Sequence, residues 1–379
     1  MPDLIHFAIT SHGLGHLTRA VAVANALHRQ APDVQLAFST TISEELLRKE
    51  MAFPFHYRAC SYEPGTAQKN CFELDLQGTR QAYREFFDGH AARLKEEEVF
   101  LNEVNCTAVV SDASALAIRA ASRRGIPNLV LANFTWDWIL EPILTSPEDL
   151  KILNALRSDY ASGMLHLQYP FGPTSSPLPR ALPVPMVSRR AQLSGDEVRA
   201  ILKLPPSDQD SLRLALVCPG GWEPDAWETI EVKDCSAYRF VFVGDLPVSS
   251  PQPGVHLAHD LPPEIRFTDL LAAADIVLTK PGYGMASECV QHTTPMLSIE
   301  RPEFRETALL LDQLREMGPV GEISLDEFFA GHWKAALDHT LAQKTPWKVQ
   351  DPHSADKVAR LVLQHSTSLS PNPVASSEV

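Results

Sequence analysis

Two glycine turns in this sequence have residue types and spacing suited to chemistry. The first is Ser11-His12-Gly13-Leu14-Gly15-His16-Leu17-Thr18-Arg19, which follows the apolar run Leu4 to Ile9 and opens a segment with helical spacing. Glycines at such a junction let the backbone approach a ligand, and a helix N-terminus favours negative charge. Thr18 stands where a third dinucleotide-fingerprint glycine would be, so this G-x-G does not by itself define a dinucleotide site. His16 is placed at the carboxyl edge of a sheet, where open α/β domains bind ligands. Val109-Val110-Ser111-Asp112 ends another apolar run, which brings Asp112 to the same edge. A carboxylate there could fix the tautomer of His16 and stabilise its protonated form, giving a general base for a hydroxyl nucleophile. Two plainer readings stay open: a tight turn with a solvated histidine, and an Asp112 that caps the helix starting near Ser114.

The second turn is Lys280-Pro281-Gly282-Tyr283-Gly284, after the apolar run Asp275 to Thr279 and before a helix through Val290. A glycine turn, a helix start and a lysine form a plausible cradle for a pyrophosphate. Glu288, one helical turn further on, could accept hydrogen bonds from a ribose diol. Gly220 and Gly221 follow the run Leu212 to Cys218 and offer another backbone site for phosphate, or are ordinary turn residues. Trp136 and Trp138 flank Asp137, a grouping suited to carbohydrate, although one of the two tryptophans could equally belong to the core.

The elements that must carry these residues alternate. Leu4 to Ile9, Val34 to Phe38, Ala108 to Val110 and Asn128 to Ala132 read as buried strands, and Ala115 to Arg123 as a helix stopped by Gly125 and Pro127. Such alternation implies a parallel sheet covered on both faces. Six prolines between Pro170 and Pro185 mark a connection. A second series follows, with strands at Leu212 to Cys218, Tyr238 to Val243, Asp275 to Thr279 and Met296 to Ile299. The expected division is residues 1–175, an N-terminal Rossmann-like domain; 176–190, a Pro-rich linker; and 191–350, a C-terminal nucleotide-sugar domain. A helix over 351–365 packs back on the first domain, and 366–379 is a disordered tail rich in Ser and Pro.

The 379 residues are 44% hydrophobic and 21% charged, enough to bury a sizeable core. Lys plus Arg number 33 against 47 Asp plus Glu, a formal charge of −14. This disfavours nonspecific binding to nucleic acid or to an anionic membrane. The six cysteines form no C-x-x-C pair, and the histidines His256, His259 and His292 lack metal-ligand spacing, so neither a disulfide framework nor a metal site is expected. Lys95-Glu96-Glu97-Glu98 reads as a solvated helix face. No basic leader opens the chain, and no apolar run approaches the roughly 20 residues of a membrane span. A cytoplasmic protein is expected.

These motifs resemble, in order, the glycosyltransferase-like N-terminal region of plant and bacterial L-arabinokinases, a branch of the GT-B sugar-nucleotide transferases. The resemblance rests on His12-Gly13-x-Gly15-His16 with Arg19, Val109 to Asp112, Asn133 to Trp138, Pro183-Val184-Pro185, Arg189-Arg190, Lys280-x-Gly282-Tyr283-Gly284 with Ser287-Glu288, and Gly331-His332-Trp333. It reaches to about residue 345. It implies an α/β GT-B fold, two doubly wound Rossmann-like domains facing across a cleft, with donor in the second and acceptor in the first. His16 then matches the general base and Asp112 its partner. Lys280, Gly282, Tyr283, Gly284, Gly220 and Gly221 would hold the diphosphate, Glu288 the ribose, and Arg305 and Glu306 would lie in the segment that contacts the donor sugar. His12, Gly13, Gly15, Arg19, Trp136, Asp137 and Trp138 fall on the acceptor side. Ser11 departs from the glycine usual before His12, and no sugar-kinase domain or ATP loop follows, so kinase activity is not expected.

The function implied is inverting, metal-independent transfer of a sugar, without a cofactor, from a nucleotide-diphosphate sugar (a UDP-sugar) to an acceptor hydroxyl. The alternatives are a non-catalytic sugar-nucleotide-binding module and a sugar-nucleotide 2-epimerase on the same fold. The carboxylates available to an epimerase are Asp112, Asp137, Glu288, Glu303 and Glu306.

Overall fold

The computed structural model describes residues 3–10, 12–204, 212–220, 230–233, 236–244, 255–348 and 350–367. Gly221, Cys235 and the Asp208-Gln209-Asp210 stretch lie outside them. The chain divides into two compact units. One comprises the chain up to Ala67, Leu76–Val187 and the part from Asp351 on; the other comprises Gln68–Asp75 and Ser188–Gln350. Gln68–Asp75 thus belongs with the second unit, although the division at 175 assigns it to the first.

The first unit is built from β1 (Leu4–Ile9), α1 (Leu14–Gln30), β2 (Gln35–Thr40), α2 (Glu44–Glu50), β3 (His56–Ala59), α3 (Leu76–Asp88), α4 (His90–Glu103) and β4 (Ala108–Asp112). It continues with α5 (Ala115–Arg123), β5 (Asn128–Ala132), α6 (Trp136–Leu140), α7 (Pro147–Ala161), β6 (Leu165–Gln168) and β7 (Ala181–Pro183). All pairings are parallel, in the order β3-β2-β1-β4-β5-β6-β7. Every residue of β1, β4 and β5 is buried, as expected for central strands covered on both faces. The Pro-rich stretch is therefore not all linker: β7 lies at the sheet edge, where Pro183 costs no hydrogen bond on the open side.

In the second unit the elements are α8 (Gly195–Ile201), β8 (Arg213–Cys218), β9 (Tyr238–Phe242), β10 (Val255–Leu257), α9 (Phe267–Ala273), β11 (Ile276–Thr279) and α10 (Tyr283–His292). They are followed by β12 (Met296–Ile299), α11 (Arg305–Arg315), β13 (Val320–Ile323), α12 (Leu325–Phe329) and α13 (Lys334–Leu341). Among the described residues its parallel sheet runs β10-β9-β8-β11-β12-β13. Its core includes Phe328 and Trp333, whose rings stack 5.5 Å apart, and the Trp333 indole donates to the Phe328 carbonyl at 2.8 Å.

The last helix, α14 (Ser354–Thr367), returns to the first unit. Val358, Ala359 and Val362 are fully buried in one cluster with Val23 and Leu27 of α1, and Arg29 pairs with Asp356 at 2.8 Å. The helix extends through Thr367, two residues into the expected tail.

One expectation is corrected in α4. Glu97 and Glu98 are buried, not solvated. Glu97 accepts from Arg58 and from the Tyr62 hydroxyl, the latter at 3.0 Å, beside His6. Burial first, and then Arg58, hold His6 down to about 3, so it stays neutral beside Ser39 at 2.9 Å.

Both sheets reverse direction of strand order next to their first strand, between β1 and β4 and between β8 and β11. Ligands in open α/β sheets bind at the carboxyl ends flanking such a switch point. His16 follows β1 and Asp112 ends β4; Gly220 follows β8 and Lys280 follows β11. Each unit thus carries its glycine turn at its own switch point.

Candidate functional site

In the first unit, α1 starts directly after Gly13, whose φ of 89° is left-handed and favours glycine. Gly13, the N-cap, has no side chain to cap the first N–H groups of this helix. Gly15 lies inside the first turn, where its carbonyl accepts from Thr18 at 3.1 Å. His16 sits on that turn, and its Nδ1 is 3.0 Å from Asp112 Oδ1. Ser114 caps α5, which leaves the Asp112 carboxylate to His16 and disposes of the capping alternative. His16 is itself buried rather than solvated.

Arg19, expected on the acceptor side, is part of this cluster. Its Nε donates to Asp112 Oδ2 at 2.9 Å and its Nη2 to Oδ1 at 2.5 Å. Nη1 donates to Asn133 Oδ1, and the guanidinium lies 5.7 Å from the Tyr169 ring centroid. The Asn133 amide is fixed in turn by the Pro170 carbonyl at 2.5 Å. A Cβ on Gly172 would come 1.7 Å from the Asn133 carbonyl oxygen, so only glycine allows this close approach. Arg19 therefore bridges groups following β4, β5 and β6.

The electrostatics follow. Burial alone would raise Asp112, but Arg19 and then His16 hold it below the usual carboxylate range. Burial and then Arg19 lower His16, while Asp112 pulls the other way. Arg19 Nη2 also approaches His16 Nδ1 to 2.6 Å. One ring nitrogen either donates or accepts. With the proton on Nδ1, it donates to Asp112 and Nε2 keeps the lone pair of a base. Arg19 opposes the imidazolium, so Arg19→Met is expected to move the NMR titration of His16 to higher pH. It should also destabilise the fold by about 3 kcal/mol or more, the scale for breaking a buried ion pair. A titration that stays in place or moves down would contradict this account.

His12 does not join the dyad. Its Nε2 is 3.0 Å from Thr66 Oγ1, its ring stands edge-on to Trp136 at 5.5 Å, and Gly65 passes close enough that a Cβ would lie 2.6 Å from His12 Nδ1. His12 thus pins the chain segment after β3. Trp136 is the core tryptophan, 1% exposed, whereas Trp138 lines an open cavity of about 550 Å³ with Thr135, Asp137, Arg157, Ser158 and Ser176. Asp137 Oδ2 takes a hydrogen bond from Arg157 at 3.3 Å.

In the second unit, Gly220 has φ 78°, and a Cβ there would meet Lys280 Cε at 2.8 Å. The lysine stem therefore lies along the bare glycine. Gly282 is the N-cap of α10 and makes no side-chain cap, and Tyr283 and Gly284 form its first turn. Glu288 is buried, and its Oε1 accepts from Arg189 Nε at 2.7 Å. Arg305 and Glu306 begin α11. Burial raises Glu306, opposed by Arg301. Glu303 accepts from the Leu74 N–H at 2.8 Å, a contact within the second unit that gives it a structural role. Gly221 lies outside the described residues.

Sequence reasoning missed Arg301, which follows β12. It is 5% exposed, lies 3.3 Å from the Phe304 ring centroid, and makes one long bond to the Pro281 carbonyl, 3.4 Å, while its Nε has no partner. Burial brings Arg301 down to about 10. Burial and then Arg301 lower Lys280. Neither cation forms an ion pair with a described residue. A buried arginine and a half-buried lysine of the same sign beside a helix start are arranged to take an anion. Among the described residues, no group of three or more His, Cys, Asp or Glu could hold a metal ion, and no helix is long and apolar enough to cross a membrane.

Solved structures match this architecture over nearly the whole chain. They include the glycotransferase of kitacinnamycin, with 14% identity, 97% of this chain and 96% of that one covered, and a TM-score of 0.61. UDP-glucose:anthocyanidin 3-O-glucosyltransferase matches with 15% identity, 97% and 94% coverage and a TM-score of 0.60. A UDP-glucosyltransferase from Polygonum tinctorium gives 14%, 97% and 94%, and 0.59. The fold is the GT-B fold of glycosyltransferases. In sequence, the chain is similar to L-arabinokinase of Arabidopsis thaliana, 26% identical over 345 residues that cover 89% of this chain. It spans only 32% of that relative's length. No protein-family model matches the chain.

Proposed function

We propose that the chain transfers a sugar from a nucleoside diphosphate sugar to an acceptor hydroxyl, with inversion and without a metal ion. The observation that carries this reading is the pair of half-buried Lys280 and buried Arg301, neither in an ion pair with a described residue, at the start of α10. A diphosphate brings the two or more negative charges that such a pair lacks. The His16–Asp112 dyad supplies the complementary function at the switch point of the first unit.

In the reaction, His16 Nε2 takes the proton of the acceptor hydroxyl as its oxygen bonds to the anomeric carbon. The bond from that carbon to the diphosphate oxygen breaks, and the electron pair leaves with the nucleoside diphosphate. A single displacement inverts the anomeric centre. Lys280, Arg301 and the α10 N–H groups stabilise the departing charge, the task a metal ion would otherwise perform. Glu288, which accepts from Arg189, is the carboxylate assigned to the ribose diol. A uridine base is favoured because two similar solved structures are complexes with UDP or a UDP-sugar, although another holds thymidine diphosphate.

Calorimetric titration with UDP, TDP, GDP and ADP in EDTA tests the reading. Saturable binding of one of them, with UDP strongest, is expected. No binding of any would overturn it. A donor returned with an altered sugar, and no free diphosphate, would point to epimerisation instead.

A further inference from the structure

The first unit holds an open cavity that the His16–Asp112 dyad does not use. Its volume of about 550 Å³ falls within the roughly 300–1,000 Å³ of small-ligand sites. Three segments line it: Thr135, Asp137, Trp138 and Glu141 in and around α6, Arg157 on α7, and Ser176 in the Pro-rich stretch after β6. The α6 segment follows β5 and the Pro-rich one follows β6, so both leave the sheet at the carboxyl edge that carries the dyad. Phe134, the residue before Thr135, stands edge-on to His16 with ring centroids 5.9 Å apart. The wall of the cavity thus begins one residue from a ring that packs on the proposed base.

The polar groups of the wall are set by their own partners. Arg157 Nε donates to Asp137 Oδ2 at 3.3 Å, and its Nη2 donates to Glu141 Oε1 at 2.8 Å. Asp137 is buried, and its Oδ1 has no hydrogen-bond partner among the described residues. A buried carboxylate held by one long bond is the kind of unsatisfied group that a polar ligand completes. Ser176 is oriented by His166. The Nε2 of that ring lies 3.1 Å from the Ala132 carbonyl oxygen, which only accepts, so Nε2 carries the proton and Nδ1 the lone pair. Burial, which brings His166 down to about 4, keeps it neutral. Ser176 Oγ, 3.0 Å from Nδ1, therefore donates to the histidine and meets a ligand as an acceptor.

The charged groups of the wall are two carboxylates against one guanidinium, so it offers no countercharge to an anion. Half-buried Trp138 adds an indole. The negative face of an indole attracts the C–H groups of a pyranose or furanose ring, whose hydroxyls in turn need fixed acceptors and donors beside it. We propose that this cavity seats a neutral sugar unit of the acceptor, with its ring against Trp138 and its hydroxyls on Asp137, Arg157 and Ser176. The link to the acceptor rests on the transferase reading; the sugar seat itself does not. A flat aromatic ligand would use the indole but leave the buried carboxylate unanswered, which is how a site built for hydroxyls rejects analogues that lack them.

The test titrates the full chain, without donor, with methyl glycosides of aldohexoses and aldopentoses, with glucuronate as the anionic control and phenol as the aromatic one. Calorimetry and tryptophan fluorescence report binding, and each variant is also melted and titrated with UDP. Saturable binding of at least one methyl glycoside is expected, tighter than that of either control. Trp138→Ala and Asp137→Asn should each weaken it about 10-fold or more, the scale for losing an aromatic contact or a charge-assisted hydrogen bond. Trp138→Phe should bind within a few-fold of wild type by calorimetry yet lose most of the fluorescence change, which ties the sugar to that ring. UDP affinity should stay unchanged in all three variants. No glycoside binding, tighter binding of glucuronate or phenol, or glycoside binding indifferent to both Trp138→Ala and Asp137→Asn overturns the proposal; UDP binding by the same protein would then leave the transferase reading in place. Glycoside binding weakened by these variants in a protein that binds no nucleotide would support the seat and remove the transferase reading.

Discussion

His16→Ala is expected to lower the rate of sugar transfer by roughly 10²- to 10⁴-fold, the span that a positioned general base contributes. Its effect on nucleotide affinity should be within a factor of two, because the groups assigned to the diphosphate lie in the other unit. Single-turnover kinetics with saturating donor, set beside calorimetry with UDP, separates the two quantities. The stability of the variant matters to the reading. His16 is buried against Asp112 and its ring stands edge-on to Phe134 at 5.9 Å, so truncation leaves a small void but no uncompensated charge, since Arg19 still pairs with Asp112. A modest fall in melting temperature is therefore expected. Equal losses in rate and in nucleotide affinity would mean that His16 supports the fold or the donor site, not the proton transfer. His16→Gln gives a further check: it can still donate a hydrogen bond to Asp112 but cannot accept a proton, and it should be as slow as the alanine variant.

What the sequence reveals depends on how strongly burial marks each element. β1, β4 and β5 are wholly buried and read as unbroken apolar runs, so His16 and Asp112 could be placed at their ends. β3 has a partly exposed, polar pattern, so that strand was not legible. Glu97 and Glu98 were misread for the opposite reason. A run of charges suggested a solvated face, yet Leu94, Glu97, Glu98 and Leu101 are spaced by three and four residues and form the inward stripe of α4. Arg19 had a usable signal, since it lies three residues after His16 and so shares its helix face. What the sequence could not supply was Asn133 and Tyr169, which make that face a convergence of three strand ends. Arg301 follows the end of β12 as Lys280 follows the end of β11, and the same edge argument applied to every strand would have found it.

Lys280 and Arg301 make the opposite kind of prediction, one in which stability and binding change in opposite directions. Arg301 is buried and Lys280 half-buried, and neither forms an ion pair with a described residue, Glu306 acting on Arg301 only through its charge. Lys280→Met and Arg301→Met remove that unfavourable charge while keeping most of the side-chain volume. Melting temperature without ligand should therefore hold or rise in either variant, whereas UDP affinity should fall about 10-fold or more, the scale for losing one charge-assisted hydrogen bond. The pH dependence distinguishes this from ordinary repacking. Burial, and then Arg301, lower Lys280 from its ordinary 10.5, so the folded state sheds its proton before the unfolded state does. The sign is then fixed: the unfolded chain binds more protons in that window, and stability rises as pH climbs toward 10.5. That rise should disappear in Lys280→Met. It should also shrink when UDP is bound, because the diphosphate supplies the missing anion and keeps the lysine charged. A variant less stable than wild type and unchanged in UDP affinity would make Lys280 and Arg301 structural cations, and would remove the observation on which the donor site rests.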